Sequence, residues 1–494
     1  MRDLAAEVGL AVEDAERELQ LATAQFSVAR EEPTTSIRML LESLRSPTDR
    51  VRWPRPSIVR RAGATRRRGH TAVGVVAAVA ALLVTGTVVT DASGVRPTLA
   101  RESLTSEPGR GPTRMPDPIE LSEDALLPAS ALTTALVTGT WTVTDTHDNT
   151  AEEGELVPCQ AARYADVAGA DALVREFADA ATVRAAYQLA EASRTSAAAK
   201  RAYATTASWY AGCRDPRTQL IDTYRVRDVG DQAVLLVLRS WQAPVTTLVV
   251  GVARTGAVVT TTMTQAPGSA AGKLGRQAEL LGEAITQLCT LPEAGGCAGT
   301  PRLMGRAPLP VGADPAMLSE VDLPPVTAVA LPWLGSEPRK ATTNVAATRC
   351  DQASFSGRFE GARFTDSATR TFLVPGAGLP DTFGLTQTVG LLPATRAKAF
   401  VETVRSRLTS CPSKDLGTDV LRVARVASPD LDLTAWRLTT EITDAESITY
   451  YMAIARVGGA VSQIGFIPTP KVRMADGAFV ALARRALARL PELS

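Results

Sequence analysis

Histidine is almost missing from this chain. His70 and His147 are the only imidazoles in 494 residues, so a Ser-His-Asp centre cannot recur along its length. Lysine is sparse and aromatic residues make up 5%. The net charge is +1, which gives no global attraction to nucleic acid. Cysteine does not occur before Cys159. No Gly-rich phosphate loop, catalytic-loop Asp or magnesium-binding Asp set precedes residue 71, and that stretch is too short for a kinase. Residues 268–274, GSAAGKL, imitate a phosphate loop. They have one residue too few between the glycines, and Leu274 stands where a hydroxyl must reach magnesium. His147 with Asp145 and Asp148 is a poor zinc set. The sequence therefore predicts no catalytic residue, no metal and no cofactor.

What the chain does have is a long apolar run. Residues 71–90, TAVGVVAAVAALLVTGTVVT, contain no charge and no proline. As a helix they span about 30 Å, the hydrocarbon thickness of a bilayer. Arg60, Arg61, Arg66, Arg67 and Arg68 precede the run, and Asp91 follows it. The positive-inside rule places residues 1–70 in the cytoplasm and residues 91–494 outside. No A-x-A cleavage site follows, so the span is expected to remain as a signal anchor. All six cysteines, Cys159, Cys213, Cys289, Cys297, Cys350 and Cys411, fall on the outer side. An even count confined there predicts disulfides in an oxidising compartment, although sequence alone does not fix their connectivity.

Residues 4–19, LAAEVGLAVEDAEREL, read as helix, turn, helix, with Gly9 at the turn. This stretch resembles the DNA-reading region of sigma-type transcription factors. The second helix carries Glu13, Asp14, Glu16 and Glu18 against Arg17 alone. Phosphate contact needs positive charge, so sequence-specific DNA binding is not expected. Residues 1–45 are read as a small helical cytoplasmic segment, with a third helix over residues 36–44. Residues 46–70 are read as a basic juxtamembrane linker suited to anionic headgroups.

Beyond the span the chain repeats itself. Residues 91–120 and 299–325 are rich in Pro, Gly, Ser and Thr and read as linkers. They frame segments 121–298 and 326–494. Cys159 and Cys213 in the first answer Cys350 and Cys411 in the second, with Lys200 and Lys398 equally far before the later cysteine. Trp241 is matched to Trp436. VGVARTGAV at 250–258 is answered by MAIARVGGAV at 452–461, two strands joined at a glycine turn. Each segment closes with an amphipathic helix, through Leu274, Ala278, Leu281, Ile285 and Leu288 in one, and Phe479, Leu482, Ala486 and Leu490 in the other. The expected fold is α+β: two similar domains, each an antiparallel sheet with helices packed on one side.

The first segment, with LPASAL at 127–132, Cys159, VREF at 174–177, WYAGC at 209–213 and a closing helix to Cys289, resembles the extracellular sensor domain of actinobacterial PknH-type receptor kinases. The second segment is more divergent, with Arg407 where the first has Trp209. The resemblance implies a sensing or ligand-binding role. Equivalent places in the repeats pair Cys159 with Cys213 and Cys350 with Cys411, leaving Cys289 with Cys297 as a local staple. Tyr203, Trp209, Tyr210 and Trp241 are candidate lining of a ligand groove. The expected protein is a single-pass membrane-anchored sensor facing an unidentified extracytoplasmic ligand or protein. A membrane-tethered transcription regulator and a cell-envelope enzyme are the alternatives.

Overall fold

The computed structural model describes residues 12–30, 119–136, 139–150, 156–341, 347–415, 417–443 and 446–493. The apolar run at 71–90, the basic stretch 46–70, the first helix and turn of the N-terminal motif and the helix expected over 36–44 lie outside those residues. Among the described residues no helix is long and apolar enough to cross a membrane. Helix α1, Val12–Arg30, continues well past the Leu19 at which the sequence motif ends, and Arg17 pairs with Asp14 on its surface at 3.0 Å.

The fold is α+β and is dominated by two large antiparallel sheets. The first is built from β1 (Trp141–His147), β2 (Asp171–Asp179), β3 (Ala185–Ala192), β4 (Thr218–Val229), β5 (Gln232–Ser240), β6 (Thr246–Thr255), β7 (Val258–Pro267) and β8 (Ala298–Gly305). Their order is β1-β2-β3-β7-β6-β5-β4-β8. Helix α2 (Ala129–Leu136) precedes β1, α3 (Ser196–Ala211) joins β3 to β4, and α4 (Leu274–Leu288) follows β7.

The second sheet repeats that order. The short β9 (Leu334–Gly335) and β10 (Arg339–Lys340) both pair with β13 (Thr365–Leu373), and β11 (Arg358–Phe359) and β12 (Ala362–Arg363) form a separate small hairpin. Then come β14 (Gly384–Leu391), helix α5 (Ala394–Lys414), β15 (Thr418–Ala427), β16 (Leu431–Thr443), β17 (Glu446–Val457), β18 (Ala460–Ile467) and helix α6 (Asp476–Arg489). The order β13-β14-β18-β17-β16-β15 copies β2-β3-β7-β6-β5-β4 strand for strand. Among the described residues no strand covers β15 as β8 covers β4.

Helices cover both faces of each sheet, not one as expected. Val234, Leu236, Leu238, Val250 and Val252 pack under α3, while Leu235, Val249 and Ala253 between them pack under α4. In the second sheet Trp436, Met452 and Ile454 meet α5, and Ala435, Ala453 and Phe466 meet α6. The reason is visible in the strands. β5 reads QAVLLVLRS and β6 reads TTLVVGVART, nearly continuous apolar runs without the polar alternation of a sheet wetted on one face. Gly251 lets α4 approach, since a Cβ there would meet Leu281 at 3.0 Å.

The same polar clamps recur in both halves. Buried Gln188 accepts from the Leu127 amide, and buried Gln387 accepts from the Leu318 amide, at 2.6 and 2.7 Å. Each amide nitrogen then donates to a hydroxyl, Thr260 in one and Ser462 in the other. Arg254 donates to the carbonyl of Gly256, and Arg456 to that of Gly458. Register fixes the correspondence: Gln232 pairs with Arg254 as Asp432 pairs with Arg456. Counting along the strands, Leu236 corresponds to Trp436. Trp241 lies past the end of β5, so the tryptophans matched in the sequence are not equivalent.

Residues 299–325, read as a linker, are built into the body. β8 is the edge strand of the first sheet, Val321 belongs to its core, and Leu318 and Leu323 are buried in the core of the second. Arg489 on α6 grips Asp322 through two hydrogen bonds of 2.8 and 2.9 Å, with both side chains buried. Arg485 donates to the carbonyls of Leu220 and Ile221 on β4. The two sheets fall within one compact unit.

Candidate functional site

Helix α3 is capped by Thr195, whose hydroxyl accepts the Ala198 amide at 3.1 Å. Ala199, Ala202, Thr206 and Tyr210 recur at helical spacing and are buried. Tyr203, Ala204, Ala207 and Ser208 stand beside that buried stripe. They look across a gap at the ladder of β4 and β8, and the two walls enclose a groove of about 980 Å³.

The far wall is basic, and the sheet register explains why. Arg227 lies opposite Arg302 and Arg225 opposite Met304. The Arg306 amide donates to Thr223, which continues the ladder by one pair. Paired residues on antiparallel strands share a face, so Arg225, Arg227, Arg302 and Arg306 all point to the α3 side. Arg302 is paired with Asp228 at 2.7 Å, and Asp231 is paired with Arg254 at 3.0 Å. The guanidinium groups of Arg225, Arg227 and Arg306 have no hydrogen-bond or ion-pair partner among the described residues. Burial pushes the Tyr203 hydroxyl up to about 12, against the pull of the positive charges of Arg306, Arg225 and Arg254. Tyr203 therefore offers the groove a neutral phenol at physiological pH.

The second half carries different side chains at the corresponding positions. Aligning Cys213 with Cys411 and Lys200 with Lys398 puts Val401 for Tyr203, Glu402 for Ala204 and Arg405 for Ala207. Val401 is buried, and Arg405 is ion-paired with Asp432, the counterpart of Gln232. Ala207 thus leaves room in the first half where Arg405 reaches across to the sheet in the second.

The candidate aromatics do not form one groove. Tyr203 lines the basic groove. Trp209 and Tyr210 border a separate cavity of about 30 Å³ between α3 and β2, β3 and β7, room for a water or two. Glu191 faces that cavity, with its carboxylate raised by burial while accepting the Ala165 and Asp166 amides. Tyr210 is fully buried, and burial raises its hydroxyl as well. Trp241 donates to Gln219 at 3.0 Å, with the Arg239 guanidinium 5.1 Å over its ring.

The structure joins Cys159 to Cys213, Cys289 to Cys297 and Cys350 to Cys411. The first ties the end of α3 to the loop before β2, and the last ties α5 to the loop before β11. The second links the α4 C-cap to the start of β8. Cys159, Cys213 and Asp215 cluster closely enough to suggest metal ligands. The two sulfurs are bonded to each other, so neither is a thiolate, and Asp215 accepts the Cys159 amide at 2.8 Å. That set does not fit a metal. His147 ends β1, and its Nδ1 accepts the Asn149 amide.

The groove arginines and the alanines opposite them carry no motif. The signal available in the sequence was the pairwise comparison of α3 with α5, where Ala207 meets Arg405.

No family model and no curated protein matches this sequence. Among solved structures it is similar to the immunity protein TplEi of T6SS from Pseudomonas aeruginosa, complexed with "L" peptide. The identity is 9% and the TM-score 0.18, over 56% of this chain and 87% of that one. A superposition that loose carries no argument about fold or function.

Proposed function

We propose that this chain is an extracytoplasmic ligand-binding protein of the sensor type, tethered by a single span at residues 71–90. It uses the groove beside Tyr203 as its binding site. The observation that carries the reading is the difference between the halves. A repeated fold keeps its clamps, its glycine turn and one disulfide in both copies, yet opens a large groove in one where the other places an ion pair. Three disulfides support an oxidising compartment. In this reading the PknH-like resemblance describes the role, and the second half serves as a support for the first.

Two measurements test it. Reporter fusions after residue 120 are expected to be active only outside the cytoplasm, and fusions before residue 45 only inside. A soluble cleaved outer fragment as the major form would refute the anchor. For the groove, the double substitution Ala207→Arg with Gln232→Asp rebuilds the second half's ion pair inside the first. A ligand that raises the melting temperature of the full-length protein is expected to have no effect on that variant. A library of envelope components whose effects are identical on both proteins would remove the groove from the proposal.

A further inference from the structure

The groove is built to hold negative charge, and this inference rests on its being the binding site. Along β4, Arg225 and Arg227 are two residues apart, so their origins are separated by about 6–7 Å. Arg302 on β8 and Arg306, which extends its ladder by one pair, are four apart, about 13 Å. Arg227 and Arg302 are directly opposed, a like-charge cross-strand pair in which Arg302 has a counter-charge in Asp228 and Arg227 has none among the described residues. Two acids border the groove, and both already have partners: Asp228 with Arg302, and Asp231 with Arg254. That leaves Arg225, Arg227 and Arg306 as an uncompensated row facing Tyr203 and the small side chains of α3.

The second half shows that the row is not a by-product of the fold. β15 keeps Arg425 for Arg225 but has Ala427 where β4 has Arg227. Among the described residues it has no covering strand to supply the counterparts of Arg302 and Arg306. The segment that walls the groove at β8 therefore also brings Arg306, one of its three uncompensated charges.

We infer that the groove binds a short linear polyanion, whose phosphate or carboxylate groups lie along an extended scaffold. Guanidinium forks recognise both groups through paired charge-assisted hydrogen bonds. A row of separated arginines favours several spaced oxyanions over one compact anion. Tyr203 and the apolar side chains of Leu309 and Pro310 would meet the uncharged scaffold between them.

The test is calorimetric titration of the full-length protein in mild detergent, with tripolyphosphate, trigalacturonate and uncharged maltotriose as probes. At least one acidic probe is expected to bind at physiological ionic strength, and the tighter one identifies phosphate or carboxylate as the preferred group. Arg225→Ser with Arg306→Ser is expected to weaken that binding at least tenfold. Arg422→Ser with Arg425→Ser on β15 is expected to leave it unchanged. All four arginines are exposed, so the fold is expected to tolerate both variants. Failure of both acidic probes to bind would overturn the inference, as would binding that survives in the first variant. A library ligand lost in Ala207→Arg/Gln232→Asp but retained in Arg225→Ser/Arg306→Ser would keep the binding site and refute its anion preference.

Discussion

Replacing Asp322 with alanine is expected to cost about 3–5 kcal/mol of stability, because it leaves a buried guanidinium without its counter-charge. Arg489 is 1% exposed and Asp322 is 2% exposed. Both carboxylate oxygens accept from Arg489, and one also accepts the Ser319 amide at 2.9 Å and the Ser319 hydroxyl at 3.1 Å. Removing the carboxylate therefore orphans a charge and uncaps the short helical turn at 320–322. The cost should fall on both halves. Arg489 also donates to the Leu309 carbonyl, and neighbouring Arg485 reaches two carbonyls of β4. A double variant, Asp322→Leu with Arg489→Met, removes both charges and should recover most of the loss, since an apolar pair of similar size is often no worse than a buried ion pair. Urea denaturation of the three proteins, followed by tryptophan fluorescence, decides the matter. A single-variant loss below about 1 kcal/mol would mean that the pair is not desolvated as its burial implies.

This interface was not legible in the sequence. The proline-rich composition of residues 299–325 reads as linker because proline and glycine avoid helix and strand interiors. Composition reports local backbone preference and says nothing about burial. Leu318, Val321 and Leu323 are spaced among those prolines too irregularly to show periodicity, yet all three are buried. Arg489 is no easier to find. At the end of an amphipathic helix an arginine ordinarily reads as a solvated charge complementing the dipole. What marks it as buried is an aspartate 167 residues away.

The repeat itself was legible, because it left cysteines, a glycine turn and two closing helices at matching intervals. The second layer of helices was legible in principle. Runs such as VLLVL in β5 signal a sheet covered on both faces, but a short apolar run does not by itself distinguish a buried strand from a buried helix. The groove lay beyond reach for a different reason. It is made by what is small, at Ala204 and Ala207, and by arginines that come together only through the pairing of β4 with β8. Aromatic residues attract attention in a sequence because they are large. Here Tyr210 is core and Trp241 is bound to Gln219, so of the four candidates only Tyr203 reaches the groove.

Loss of the long-range disulfides is expected to be as costly as loss of Asp322, and the two bonds should differ in how far the damage spreads. Cys159–Cys213 closes 54 residues and Cys350–Cys411 closes 61. The chain-entropy argument gives each roughly 4 kcal/mol, with native strain commonly reducing the figure. Cys213 shares a core with Leu309, Val311 and Val321, the segment that runs between the sheets and leads to Asp322. Cys411 shares a core with Phe355, Phe400 and Trp436, all from the second half of the chain. Cys213→Ser should therefore speed hydrogen exchange in α3, in the interface turn and in the last turns of α6, where Arg485 and Arg489 sit. Cys411→Ser should speed exchange in α5 and the loop before β11, while the first sheet keeps its protection. Peptide-resolved exchange on the full-length protein reads both patterns, after non-reducing peptide mapping has verified the remaining bonds. If Cys213→Ser loosens the first sheet but leaves α6 fully protected, the segment between the sheets transmits nothing and the halves are independent.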